Sequence, residues 1–103
     1  MCCVWCGVVC GVRERAVELA LVRAASRAGG IAYKFSSPAR RGVPDRIVVL
    51  PGGILFFVEC KASGGRLTRL QALEGRRLER LGFEFFVVDS VERAREIVDE
   101  KSG

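Results

Sequence analysis

The sequence predicts a single α/β domain with a central mixed sheet flanked by helices, in the order α-β-β-β-α-β-α. Three observations support this prediction. The chain has 103 residues, a length that suits one hydrophobic core rather than two. Half of the residues are hydrophobic, which excludes a disordered tail. Several strand-like runs are apolar on both faces, as in a sheet that helices cover on each side.

The first helix is expected to begin near Arg13. Its apolar residues recur at helical spacing from Val17 to Ala28, and Gly29 and Gly30 end it. Short runs rich in β-branched and aromatic residues then predict four strands. These strands cover residues 31–35, 46–50, 54–60 and 83–88. The second and third strands form an antiparallel hairpin, and the path from the third strand to the fourth is a candidate right-handed crossover.

Two further helices complete the order. Thr68 and Gln71 have the spacing of a capping box at the start of the second helix, and Gly82 ends it. Ser90 caps the last helix. The apolar stripes of these helices are Leu70, Leu73, Leu78 and Leu81 in the second, and Val91, Ala94, Ile97 and Val98 in the last.

Charge and composition narrow the possible chemistry. The chain carries 17 Lys and Arg, 12 Asp and Glu, and no histidine, for a net charge of +5. Without histidine there is no Ser-His or Cys-His nucleophile pair, so catalysis has to use carboxylates, lysine, cysteine or a hard metal. Residues 30–73 hold seven basic residues and only two acids, Asp45 and Glu59. The pattern fits a phosphate-binding centre with two isolated carboxylates, although ordinary uneven surface charge explains the same counts.

Four of the five cysteines lie within the first ten residues. Cys3, Cys6 and Cys10 are spaced so that their thiolates could bind a metal ion, but no second CxxC or histidine pair completes a zinc site. We therefore interpret residues 1–12 as an apolar lead-in or a mis-set start, and residues 13–103 as the domain. The apolar run is too short for a membrane span and is not a clear secretory signal, which favours a cytoplasmic protein. Cys60, in an apolar run, is expected to be a buried thiol.

Two carboxylates and a lysine share one face of the predicted hairpin. With a three-residue turn at 51–53, Asp45 faces Glu59 with β-carbons about 5 Å apart, and Lys61 points to the same side. Two full charges at that distance repel by roughly 3 kcal/mol at an effective dielectric of 20. A shared proton, arginine partners or a divalent cation such as Mg²⁺ or Mn²⁺ would offset this repulsion.

Two alternatives stay open for this cluster. A two-residue turn would move Asp45 to the face opposite Glu59. Asp45 would otherwise be a plain turn residue, with Glu59 and Lys61 forming an ordinary surface pair.

These residues also match a known pattern. Pro44-Asp45, a hairpin, and then Glu59-Cys60-Lys61 form the Pro-Asp…Glu-x-Lys signature of the PD-(D/E)XK nuclease superfamily. More narrowly, the chain resembles a VRR-NUC domain, the virus-type replication-repair nuclease. The resemblance spans residues 14–100 and implies a restriction-endonuclease-like core. It is carried by residues 28–35, 40–46, 58–62, 64–67 with 71, and 81–90.

The resemblance implies roles for individual residues. Asp45 and Glu59 match the metal-binding acids, and Lys61 matches the catalytic lysine. The backbone carbonyl of Cys60 is an expected further ligand of Mg²⁺ or Mn²⁺. The catalytic, metal-binding glutamate of the first helix matches Glu18 best, with Glu14 as the runner-up. Gln71 matches a polar catalytic-site residue at the start of the next helix, or is a simple cap. The expected contacts with the DNA backbone are Arg40, Arg41, Arg46, Lys34 and Arg66.

The implied activity is that of a metal-dependent, structure-selective endodeoxyribonuclease, similar to Holliday-junction resolvases. Such an enzyme would act as a homodimer on branched DNA in phage or bacterial replication, recombination or repair, without a small-molecule cofactor or a membrane. One alternative is a DNA-binding module of the same fold that has lost catalysis. Another is a restriction-type nuclease that reads a base sequence.

Overall fold

The structure is a computed structural model that describes the backbone from Cys6 to Gly103 and side chains from Arg13 onward. Its elements follow the predicted order. They are α1 (Cys6–Arg27), β1 (Ile31–Lys34), β2 (Arg46–Leu50), β3 (Ile54–Cys60), α2 (Arg69–Arg80), β4 (Glu84–Val88) and α3 (Val91–Ser102). The predicted α/β class, a mixed sheet flanked by helices, is therefore confirmed.

The first helix begins earlier than expected. α1 starts at Cys6 rather than near Arg13, and no proline between Cys6 and Arg13 interrupts it. The side chains of residues 1–12 lie outside the described part of the chain. The interpretation of the cysteine cluster and of the lead-in therefore stays a prediction.

The sheet has the strand order β1-β2-β3-β4. β1 pairs antiparallel with β2, β2 pairs antiparallel with β3, and β4 runs parallel to β3 after the α2 crossover. Leu50 pairs with Ile54 and Arg46 pairs with Val58, so the three-residue turn is confirmed. Gly52 and Gly53 both have positive φ, at 90° and 78°, a conformation that side-chain-bearing residues rarely adopt. The register of the hairpin thus depends on this pair of glycines.

One face of the sheet forms the core together with α1 and α3, which also pack against each other. The side chains of this core alternate along the strands, as a half-buried sheet requires. They include Leu21, Ala25, Val48, Phe56, Val58, Cys60, Val88 and Ile97. Among the described residues, no helix is long and apolar enough to cross a membrane.

The opposite face is covered only in part, by α2 lying over β4. The close approach occurs at Gly75, where a β-carbon would come within 2.5 Å of the Phe85 ring. The leucine stripe of α2 is not the contact surface that its spacing suggests. Leu70 and Leu73 are half exposed, and Leu81 is 67% exposed. An apolar surface therefore lies beside α2, where the sequence alone predicts a covered sheet.

Candidate functional site

Asp45 lies at the end of the sheet, directly before β2. Continuing the β2–β3 register by one residue places Asp45 opposite Glu59, as expected from the turn length. The Asp45 carbonyl accepts a hydrogen bond from the Phe35 backbone N–H at 2.8 Å. Its carboxylate Oδ2 accepts one from the Cys60 backbone N–H at 2.9 Å. Asp45 is thus held by the strands on both sides of β2.

Glu59 is a buried acid with an incomplete set of partners. Only 2% of its surface is exposed. Its Oε2 accepts a hydrogen bond from Gln71 Nε2 at 3.0 Å, and Lys61 Nζ lies 3.7 Å from the same oxygen. Its Oε1 is buried and has no hydrogen-bond donor among the described residues. Because an unpaired buried carboxylate oxygen is costly, this atom indicates a site built for a further partner.

Burial of Glu59 favours its neutral form. Burial first, and then the negative charge of Asp45, raise the pKa of Glu59 to about 8, against the opposing charge of Lys61. The negative charge of Glu14 raises the pKa of Glu59 further. Perturbed pairs of this kind concentrate at functional sites, because catalysis and metal binding need closely placed acids.

Gln71 caps α2 and also contacts Glu59. Its backbone N–H donates to the Thr68 hydroxyl at 3.1 Å, and its side-chain Oε1 accepts from the Thr68 N–H at 2.9 Å, which confirms the capping box. Its Nε2 remains free to donate to Glu59. The start of α2 therefore delivers a hydrogen-bond donor to the carboxylate pair.

Lys61 and Cys60 follow Glu59 at the end of β3. The Lys61 N–H donates to the Val88 carbonyl at 2.9 Å, which extends the pairing with β4. The thiol of Cys60 is fully buried, as predicted. Burial first, and then the charge of Asp45, raise the pKa of that thiol to about 12. The thiol therefore stays protonated at neutral pH, and only the backbone carbonyl of Cys60 is a candidate metal ligand.

The two glutamates of α1 have different surroundings. Glu18 Oε1 accepts hydrogen bonds from Lys34 Nζ at 2.9 Å and from Arg46 Nη2 at 2.6 Å. Burial opposes ionisation of Glu18, but these two donors outweigh it, so its pKa is lowered. Glu14, the runner-up from the sequence, is the α1 acid whose charge acts on Glu59. The structure thus brings Glu14 into the electrostatic field of Glu59 and leaves Glu18 in an ion-pair cluster.

Three of the five predicted DNA contacts are already paired within the chain. Arg46 and Lys34 contact Glu18, and Arg40 Nε lies 2.9 Å from Glu74 Oε1. Arg41 and Arg66 have no acidic partner among the described residues, and both are exposed. Glu74 was missed at the sequence level. Its position three residues after Gln71, on a neighbouring part of the same helix face, was the available signal.

Comparison with known proteins agrees with the fold. No family model matches the chain. A relative named "Putative nuclease p44", from Acyrthosiphon pisum secondary endosymbiont phage 1, is 53% identical over 79 residues, which cover 77% of this chain and 85% of the relative. A solved structure described as a VRR_NUC domain superposes with a TM-score of 0.78 at 30% identity, covering 84% of this chain and 95% of that one. Both matches cover most of this chain and most of the protein compared with it. The chain therefore belongs to the VRR-NUC family of nucleases.

Proposed function

We propose that this chain is a Mg²⁺- or Mn²⁺-dependent endodeoxyribonuclease that selects branched DNA, in the manner of a Holliday-junction resolvase. The observation that carries the proposal is the convergence of Asp45, Glu59 and Lys61, with Glu59 Oε1 buried and without a donor. Two adjacent acids and a lysine beside them form a site suited to a hard cation and a phosphate.

The residues present fit such a cation. Asp45 and Glu59 would hold it, together with the Cys60 carbonyl. Among the described side chains no group of three acids or thiols gathers closely enough to hold a metal, so no acid of α1 is added to this set. Mg²⁺ commonly binds through one or two carboxylates and keeps several waters and substrate phosphate oxygens in its shell. When bound, the cation would polarise the phosphodiester and lower the pKa of a bound water.

Lys61 supplies the positive charge that the site needs during hydrolysis. Its side chain is only 15% exposed, and its Nζ lies near Glu59 Oε2. From there it would orient the attacking water or donate to the phosphoryl oxygens as negative charge develops. The water oxygen bonds to phosphorus while the bond to the 3′ oxygen breaks, which leaves 5′-phosphate and 3′-hydroxyl ends. Gln71 holds the Glu59 carboxylate in place through its Nε2.

The DNA partner follows from charge and from the nuclease family. Residues 30–73 have a net charge of +5, since they include seven basic residues and two acids. Arg41 and Arg66, exposed and without an acidic partner among the described residues, are the proposed phosphate contacts. Arg41 lies in the loop before β2, and Arg66 lies in the loop before α2.

A homodimer belongs to the same proposal. Seven of the large apolar side chains on α2, at its C-terminal end and on the sheet face beside it are 38–67% exposed. At about 100 Å² each they offer roughly 700 Å², close to the ~800 Å² per partner of a standard interface. They are Ile31, Tyr33, Leu55, Leu70, Leu73, Leu81 and Phe83. A second copy packed on this apolar surface would give an assembly with two active sites.

The test is a cleavage panel with four-way junctions, flaps and plain duplex in Mn²⁺. We expect wild type to cut the branched substrates in preference to duplex, and Asp45→Ala and Lys61→Ala to cut none of them. Equal cleavage by wild type and both variants would refute the assignment of the site. Strong junction binding with no cutting in Mg²⁺ or Mn²⁺ would instead identify a DNA-binding module without catalysis.

A further inference from the structure

We infer that Glu18, Arg46 and Lys34 form a positioning cluster for Asp45, and that Arg46 and Lys34 hold this cluster rather than DNA phosphates. The inference rests on the proposed function, because Asp45 needs positioning only if it binds the metal. It assigns Glu18 a structural task in place of the metal-ligand role that the resemblance implies.

The cluster is centred on one oxygen atom. Glu18 Oε1 accepts from Arg46 Nε at 3.0 Å and from Arg46 Nη2 at 2.6 Å, so the guanidinium grips it through two nitrogens. Lys34 Nζ adds a third donor at 2.9 Å. The remaining fork of Arg46 is also used, since its Nη1 donates to the Ala32 carbonyl at 3.1 Å. All three nitrogens of the Arg46 guanidinium thus donate inside the protein, and three of its five N–H groups are used there.

The burial of Glu18 and Arg46 supports a structural role for their ion pair. The side chains of Arg46 and Glu18 are each 18% exposed, whereas Lys34 is 61% exposed. Partly buried, forked Arg–carboxylate pairs are the strong class of ion pair, and breaking one leaves an unpaired charge in place. The cluster joins α1 to β1 and β2 on the core side of the sheet.

The cluster is connected to Asp45 through the backbone of β2. Arg46 directly follows Asp45, so the side chains of these two residues point to opposite faces of the sheet. Arg46 holds β2 on the α1 side, the Phe35 N–H holds the Asp45 carbonyl, and the Cys60 N–H holds the Asp45 carboxylate. With those contacts in place, Asp45 Oδ2 is engaged by the backbone and the other carboxylate oxygen is available for a cation. Loss of the Arg46 anchor would free the first residue of β2 and the carboxylate before it.

The experiment measures Mn²⁺ affinity and DNA binding separately. Mn²⁺ binding to the full chain is followed by electron paramagnetic resonance for wild type, Glu18→Gln, Arg46→Gln and the double variant. Arg46→Lys, which keeps the charge but loses the fork, tests the geometry of the pair. Arg93→Gln is the matched control, since Arg93 pairs with Glu96 and Glu100 on α3, away from the site. Duplex binding in EDTA is measured against salt concentration for the same proteins.

We expect each single variant to lower Mn²⁺ affinity about 10–100-fold, as loss of a group that orients a metal ligand does. The double variant should be no weaker than the weaker single, because both changes break the same contact. The salt dependence of duplex binding should not change, and Arg93→Gln should match wild type in both measurements.

Three results would overturn the inference. A salt slope shallower by about 0.9 in Arg46→Gln, with Mn²⁺ affinity intact, would make Arg46 a phosphate contact. Loss of Mn²⁺ binding in Glu18→Gln but not in Arg46→Gln would make Glu18 a metal ligand. Additive losses in the double variant would show that the two residues act independently. Absence of Mn²⁺ binding in wild type would refute the proposed function itself, and the inference with it.

Discussion

Replacing Glu59 with glutamine should stabilise the protein in the absence of metal. Glu59 is buried, and its pKa stands at about 8 against an ordinary 4.5. The folded state therefore keeps a proton that the unfolded chain has lost, and the unfolding free energy falls as pH rises from about 4.5 to about 8. At 1.36 kcal/mol per pKa unit, this loss comes to about 3 kcal/mol between pH 5 and pH 8. Glutamine carries no titrating proton, so Glu59→Gln should escape the loss.

Urea unfolding followed by circular dichroism, in EDTA at pH 5, 6, 7 and 8, measures this effect. The chain is favourable for the experiment because it contains no histidine, the side chain that usually titrates in this range. Glu79→Gln, at an exposed position of α2, is the matched control and should follow wild type. Wild type should lose stability towards pH 8 while Glu59→Gln stays flat.

Saturating Mn²⁺ should reverse the order of the two proteins, because a bound cation stabilises only the protein that binds it. A wild-type stability that is flat or rises from pH 5 to pH 8 would refute the reasoning. An identical decline in Glu59→Gln would refute it as well.

Three further outcomes follow from the geometry. In Gly75→Ala, the new β-carbon would lie 2.5 Å from the Phe85 ring, so α2 has to shift by roughly 1 Å. Because α2 carries Gln71, we expect kcat to fall about 100-fold, with a smaller effect on duplex binding. A kcat equal to that of wild type would contradict this. Arg41→Gln should make the salt slope of duplex binding shallower by about 0.9, whereas Arg40→Gln, whose guanidinium pairs with Glu74, should change it little; equal slopes would argue against Arg41 as a contact. Leu81→Glu should convert dimer to monomer in analytical ultracentrifugation, and an unchanged mass would place the interface elsewhere.

Much of the fold could be predicted because local chemistry determines it. Pro51, Gly52 and Gly53 mark the turn, and the three-residue form, one of the two lengths that the sequence allows, sets the register that brings Asp45 opposite Glu59. The capping box at Thr68 and Gln71 marks the start of α2 with equal clarity. In both places the deciding interactions connect residues close together in the chain, which a sequence pattern can show.

The features that sequence could not show depend on contacts between distant residues. Arg46 and Glu18 are 28 residues apart, and Arg40 and Glu74 are 34 apart. Helical spacing alone allows Glu14 and Glu18 equally, since they are one turn apart, and only the position of α1 against the sheet separates them. The leucine stripe of α2 failed as a guide to packing because Gly75, with no side chain, makes the close contact with β4.

The role of the buried carboxylate pair in catalysis is tested by the cleavage rate of one labelled four-way junction as a function of Mn²⁺ concentration, for wild type and Glu59→Gln. We expect wild type to show a saturable dependence on Mn²⁺ and no cleavage in EDTA. Glu59→Gln, folded and more stable without metal, should show no cleavage at any Mn²⁺ concentration. Cleavage by Glu59→Gln with the wild-type dependence on Mn²⁺ would contradict the claim that the buried carboxylate pair holds the catalytic cation.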